Sequence, residues 1–149
     1  MRIEPLPAHL GETAVALWHE TGLTRPWNDP VEDLHRALDG PSSTVLAALD
    51  GETLVGTAMV GHDGHRGWVY YLGVAPAAQR SGVATALMRA AEAWLRERDV
   101  PALQLMVRAG NDAALAFYDS LGYDTLDVVL RGTRFDGRRR MGTPERSGE

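Results

Sequence analysis

A β-prone run from Trp68 to Val74, a turn through Pro76, and the segment Gln79-Arg80-Ser81-Gly82-Val83-Ala84 opening a long helical pattern constrain this chain more than any other feature. A strand that turns straight into a helix aims several free backbone N–H groups at one point, and such a point binds phosphate. Gly82 removes the side chain that would keep a pyrophosphate off the backbone. Arg80 adds positive charge at the mouth, and Ala84 lets the helix approach closely. The dinucleotide fingerprint needs three glycines directly after the first strand, and a Walker loop ends in Gly-Lys-Ser/Thr. Neither fits these residues.

The remaining pattern builds a mixed α/β domain around that segment. A short strand at Arg2-Ile3-Glu4 precedes a helix opened by Pro7, with Leu10, Ala14, Leu17 and Trp18 at helical spacing, ended by Gly22. A second short helix starts at Pro30 and stops at Gly40-Pro41. Ser43 to Leu49 and Thr53 to Val60 form an antiparallel pair around Asp50-Gly51. The long helix places Val83, Leu87, Ala91, Trp94 and Leu95 on one face and stops before Pro101. A strand follows from Ala102 to Val107, then a helix capped by Asn111 and terminated by Gly122. Residues 123–135 alternate enough to predict one or two final strands. The expected domain is residues 1–135, and residues 136–149 read as a disordered, arginine-rich tail.

Composition removes several chemistries. With 149 residues, 44% of them hydrophobic, the chain has the size of one domain able to bury its own core. It contains no cysteine, which excludes disulfides, thiolate metal sites and a cysteine nucleophile. No run of about 18 apolar residues exists to span a bilayer, and the N-terminus lacks a secretory pattern, so a cytoplasmic protein is expected. The net charge is -5, and six of the 15 basic residues, all arginine, follow Leu130, leaving an acidic body. That sign disfavours nucleic acid as a partner. His62 and His65 flank Asp63 in a glycine-rich turn without further converging ligands, so no metal is expected.

Asn111 and Tyr118 stand seven residues apart, about two helical turns, and share one helix face. The stretch from Asn111 to Tyr123 reads Asn-x-x-Ala-x-x-x-Tyr-x-x-x-Gly-Tyr. Together with Gln79-x-x-Gly82-x-Ala84 it resembles the paired motifs of the GNAT acetyltransferases over roughly residues 2–135. Arg25-Pro26-Trp27-Asn28-Asp29-Pro30 and Tyr70-Tyr71-Leu72-Gly73-Val74 are similar to the bacterial YpeA-type branch. The resemblance implies a twisted, mostly antiparallel sheet of six to seven strands flanked by about four helices, and acetyl-CoA as co-substrate. It places the CoA pyrophosphate on Gln79, Arg80, Ser81, Gly82, Val83 and Ala84, and the pantetheine arm along Leu72, Gly73 and Val74. Asn111 contacts that arm by the same resemblance, the Val74 N–H polarises the thioester carbonyl, and Tyr118 protonates the leaving thiolate.

The implied reaction is direct attack of a neutral amine on the thioester in a ternary complex. The family often uses a glutamate on the central strand as proton acceptor; here that strand carries no carboxylate. Asp63, His65 and Tyr70, with Tyr70 expected on the face opposite Tyr71, are the candidates for a water relay. The loop between the first two helices contains Arg25, Trp27, Asn28 and Asp29, a composition that suits small-molecule recognition: Arg25 suits a substrate carboxylate and Asp29 an ammonium, with Trp27 as a wall. These residues point to a small-molecule or amino-acid-like amine acceptor. The alternatives are a peptide or ribosomal-protein N-terminal acetyltransferase, and a CoA-sensing domain without turnover. Pairing of two copies through sheet edges or last strands is compatible with the resemblance.

Overall fold

The computed structural model describes residues 1–138. Its centre is the hairpin of β2 (Ser43–Asp50) and β3 (Thr53–His62), joined through Gly51 at φ +60°, a left-handed turn conformation that suits glycine. β1 (Arg2–Pro5) adds antiparallel to β2, β4 (Gly67–Val74) antiparallel to β3, and β5 (Leu103–Leu105) parallel to β4. The result is one open sheet in the order β1-β2-β3-β4-β5.

Strand alternation gives the sheet two apolar faces. Val45, Ala47 and Leu49 of β2 point to one side, where α1 (Gly11–Glu20) and α2 (Pro30–Asp39) cover them with Ala14, Leu17, Trp18, Leu34 and Ala37. Leu46 and Ala48 point to the other, beneath α3 (Val83–Arg96). Val83, Leu87, Met88, Ala91 and Leu95 recur at helical spacing along α3, and all are buried. Gly56 lets that stripe sit close: a Cβ there would stand 3.0 Å from both Leu87 Cδ1 and Val83 Cγ1. α4 (Asp112–Ser120) lies on the same side but buries none of its residues fully; Phe117 and Tyr118 pack only partly into the cluster.

The helices begin and end where local chemistry dictates. Asp29 Oδ1 accepts from the N–H groups of Val31 and Glu32 at 3.1 and 3.2 Å, and Pro30 occupies a first-turn position whose N–H would have no partner. Asn111 Oδ1 caps α4 through the Ala114 N–H, and Gly122 leaves the last turn at φ +87°.

The sheet has five strands among the described residues, fewer than the six to seven expected, because residues 123–135 form no strand. Val128, Val129 and Leu130 are consecutive rather than alternating and lie 76%, 84% and 60% exposed. β-propensity expresses packing against neighbouring strands, and no strand of the described chain runs beside this segment. Residues 139–149, most of the arginine-rich tail, lie outside the described residues. Tyr70 also departs from expectation. Its cross-strand partner Met59 belongs to the α1/α2 side and Tyr71 stacks on Trp18 of α1, so both tyrosines face that side. A register shift between Thr57 and Met59 interrupts the alternation there.

Candidate active site

β4 and β5 stay together for three residue pairs, Gly67 with Leu103, Trp68 with Gln104 and Val69 with Leu105, and then part. Residues 70–74 of β4 keep β3 on one edge while the other edge opens into a cleft. The Ala75 N–H donates to Val55 O at 2.8 Å. Successive N–H groups along a strand alternate in direction, so the Val74 N–H points away from β3, into the cleft.

At the end of β4 the chain turns through a short 3-10 segment, Pro76–Ala78, and reaches the loop before α3. Arg80 has φ +64° and Gly82 φ +87°, both left-handed. Alternating hand in successive residues turns backbone N–H groups into a concave nest, which favours an anion. A Cβ on Gly82 would meet nothing within 4 Å, so the space before it is open and its conformation, rather than crowding, demands glycine. Ser81 Oγ donates to Ala78 O, and Gln79 Nε2 donates to Val74 O at 3.1 Å, which ties the loop to the strand. A cavity of about 340 Å³ is lined by Val74, Ala78, Gln79, Arg80, Gly82, Val83, Ala84, Thr85 and Phe117. It is mostly apolar walls around a nest of donors, which fits a diphosphate carrying a slender organic arm.

Thr85 and Phe117 escaped the sequence reading. Thr85 sits one turn into α3, and Phe117 was legible only as an apolar residue beside Tyr118. Tyr118 is not among the residues lining that cavity; it is half-buried behind Phe117, with its ring edge-on to Phe117 at 5.1 Å and tilted to Tyr123 at 5.9 Å. Burial raises its phenol above the ordinary tyrosine value, so it stays protonated near neutrality. Asn111 holds the start of α4 on the same side.

The opposite face of β4 meets the loop between α1 and α2. Trp27 is buried there, with the Arg108 guanidinium 5.7 Å from its ring centre. Arg25 Nη1 donates to the carbonyls of Gly22 and Thr24 at 2.7 Å each, and Asn28 Oδ1 accepts from Arg134 at 3.0 Å. Asp29 is the α2 cap. Sequence reasoning missed Asp33, whose Oδ2 accepts from the Tyr71 hydroxyl at 2.7 Å. It also missed Arg134, which reaches this loop across 106 residues of sequence. Burial, then the bond to Asp33, holds the Tyr71 phenol far above its usual value. Tyr70 is half-exposed beside them, its phenol raised by burial. Asp63 and His65 are not brought to this place. They form the turn at the opposite end of β4, on the order of 25 Å from Val74 by strand rise, where Asp63 accepts from the His65 and Arg66 N–H groups.

Comparison with known proteins identifies the family. Residues 13–123 match the model of the acetyltransferase (GNAT) family. An acetyltransferase of Pectobacterium atrosepticum is 44% identical over 124 residues, covering 83% of this chain and 87% of that protein. One of Yersinia pseudotuberculosis is 43% identical over 123 residues, with the same coverage. Among solved structures, the aminoglycoside 6'-N-acetyltransferase AAC(6')-IG of Acinetobacter haemolyticus superposes with a TM-score of 0.75 at 21% identity, over 90% of this chain and 98% of that one. AAC(6')-Iy, solved with the bisubstrate analogue CoA-S-monomethyl-acetylneamine, gives a TM-score of 0.76 at 15% identity, over 89% and 97%. No helix among the described residues is long and apolar enough to cross a membrane. With a family match over most of its length, relatives above 40% identity and a nest-and-cleft site suited to CoA, the chain belongs to the GNAT family and is an acetyl-CoA-dependent N-acetyltransferase.

Proposed function

We propose that the chain transfers the acetyl group to a primary amine on a small-molecule or amino-acid-like acceptor, by direct attack within a ternary complex. One observation carries this reading: the Val74 N–H faces the open edge of β4, next to the nest at residues 79–84. Acetyl-CoA supplies the activated thioester. Gln79, Arg80, Ser81, Gly82, Val83 and Ala84 hold its diphosphate, while Leu72, Gly73 and Val74 with Asn111 hold its arm. The Val74 N–H stabilises the developing oxyanion, and a preorganised donor of this kind contributes about 3–4 kcal/mol. Tyr118, kept protonated by burial, donates its proton to the departing sulfur, and the proton that the attacking amine gives up returns through water to the phenolate.

The acceptor approaches from the α1/α2 side, where Tyr70, Trp27, Asn28, Asp29 and Arg25 border β4. Those aminoglycoside acetyltransferases of like fold support a small acceptor. Trp27, buried in the loop, supports it too, since a loop packed down by its own tryptophan suits a compact substrate better than an extended peptide. The protein works in the cytoplasm, and pairs of copies are compatible with the exposed apolar residues Leu126, Val128, Val129 and Leu130.

Calorimetric titration with acetyl-CoA, beside the Gly82→Glu variant, tests the cofactor assignment. Binding by the parent and its loss in the variant is the expected result; equal binding by both would remove the nest from the site. Acetylation of a panel of amino acids, amines, aminoglycosides and short peptides then tests the acceptor class. Turnover of peptides alone would replace the small-molecule reading with N-terminal acetylation, and binding without any turnover would favour a sensor.

A further inference from the structure

The cofactor cleft exists because β4 departs from β5 after Val69, and the departure coincides with an irregularity in β4 itself. The β3/β4 register shifts between Thr57 and Met59, and Tyr71, opposite that shift, has φ +51°. Left-handed backbone is costly for a residue carrying a Cβ, and such strain persists only where surrounding contacts hold it. A bulge also bends and twists its strand. Tyr71 is therefore the pivot that swings residues 72–74 away from β5.

Four contacts hold the pivot. Thr57 Oγ1 donates to the Tyr71 carbonyl at 2.9 Å and itself accepts from Trp18 Nε1 at 2.8 Å. The Trp18 and Tyr71 rings stack with centroids 4.0 Å apart and planes at 18°. The fourth comes from α2: the Tyr71 hydroxyl donates to Asp33 Oδ2 at 2.7 Å. The first three tie β4 to α1 and β3. Among the described residues, Asp33 alone gives the tyrosine side chain a polar anchor. Its side chain remains 30% exposed, and its other oxygen stands a loose 3.8 Å from Arg36 Nη1. A bond from phenol to an ionised carboxylate is among the stronger side-chain hydrogen bonds.

We propose that Asp33 is a positioning residue for the cofactor strand: by anchoring the Tyr71 hydroxyl it holds the left-handed bulge that opens the pantetheine cleft between β4 and β5. The inference rests on the assignment of that cleft to acetyl-CoA, and not on the identity of the acceptor. It makes the bulge dependent on a helix that borders the acceptor side, so the two halves of the site share one mechanical element.

The test compares Tyr71→Phe, Asp33→Ala, Asp33→Asn and the double variant Tyr71→Phe/Asp33→Ala, with Gly82→Glu as reference. The readouts are acetyl-CoA affinity by calorimetry, the backbone amide resonances of Gly73 and Val74, and the melting temperature. Tyr71→Phe and Asp33→Ala should each weaken acetyl-CoA by roughly threefold to thirtyfold, with the double variant no worse than the weaker single, because one bond is lost in all three. Asp33→Asn keeps an acceptor oxygen and should stay within about twofold of the parent. The Gly73 and Val74 amides should shift in Tyr71→Phe without acetyl-CoA present. Full affinity with unmoved amides in Tyr71→Phe overturns the proposal, as does a lowered melting temperature with no loss of affinity, which is what a merely structural bond would give. Should Asp33→Ala fail to fold, Tyr71→Phe, which removes a single oxygen, decides alone. If the parent binds acetyl-CoA as tightly as Gly82→Glu does, the nest assignment has failed, and the amide shifts still judge whether Asp33 sets the bulge.

Discussion

Gln79 Nε2 and the carbonyl of Val74 stand 3.1 Å apart, so the first residue of the anion nest grips the last residue of the cofactor strand. On the proposed assignment, the bond fixes the distance between the diphosphate and the thioester carbonyl. Gln79→Ala should leave the fold intact, because its partner carbonyl remains open to water. It should weaken acetyl-CoA by about threefold to tenfold, the worth of one neutral hydrogen bond. Gln79→Glu would place a carboxylate against the carbonyl and against phosphate, and should weaken it further. Calorimetry on the two variants checks the order.

Gly82 offers a cleaner separation of conformation from charge. At φ +87°, with open space where a Cβ would stand, Gly82→Ala pays only for left-handed backbone, roughly 1–2 kcal/mol. Gly82→Asn tolerates that region better and should be the milder change in melting temperature. Gly82→Glu should bind acetyl-CoA worst of the three. If alanine and glutamate weaken binding equally, charge at the nest is irrelevant to the ligand.

If Tyr118 is the acid of the proposed mechanism, Tyr118→Phe should lower kcat by about 10²-fold or more while leaving acetyl-CoA affinity within about threefold, since the lost group would act on the leaving thiolate. The phenol is raised by burial. The proton donor is consequently lost only as pH climbs above the usual tyrosine value near 10, and Tyr118 should contribute no limb to the rate profile between pH 6 and 9. Steady-state kinetics over that range with an acceptor from the amine panel supplies the check.

The Tyr123 hydroxyl donates to Glu92 Oε2 at 2.6 Å, joining the chain after α4 to α3. Burial and then Glu92 raise the Tyr123 phenol strongly. A raised folded value stabilises fully below the unfolded value near 10 and is lost as pH rises beyond it, because the unfolded phenol ionises first. Tyr123→Phe should cost about 1–2 kcal/mol at pH 7. Its denaturant midpoint should then fall less steeply than the parent's above pH 10. Parallel curves would mean that the bond carries no linkage.

Leu87 is fully buried under the sheet and touches the space beside Gly56. Leu87→Ala should cost roughly 2–5 kcal/mol, read as a drop in the denaturant midpoint. At permissive temperature its acetyl-CoA affinity should stay near that of the parent.

How far the sequence could be read follows the range of each interaction. The start of α2 at Pro30, the cap at Asn111, the glycine at 82 and the stripe on α3 are local, set by residues within a turn or two, and they stand where expected. Tyr70 and Tyr71 were misread because period-two alternation has no way to register a bulge. The shift is fixed by Trp18, Thr57 and Asp33, residues 14 to 53 positions away. Asp33 looked like any polar residue on an exposed helix face until β4 came beneath it. Arg134 became a neighbour of Asn28 only through the path of the chain after α4. Residues 123–135 carry strand-like composition, yet composition cannot supply a neighbouring edge.

The parting of β4 from β5 also says what the cleft refuses. A sheet edge is ordinarily sticky toward any extended polypeptide, and an open edge invites association between molecules. Here Val74, at the end of the open edge, lines a cavity together with Phe117 and the loop before α3. An intruding peptide would bring side chains above and below its own backbone at every second residue, whereas a pantetheine arm carries amides on a thread with almost no breadth. Slenderness thus becomes the entry requirement, and on the proposed assignment the unfinished ladder that takes the cofactor refuses broader chains.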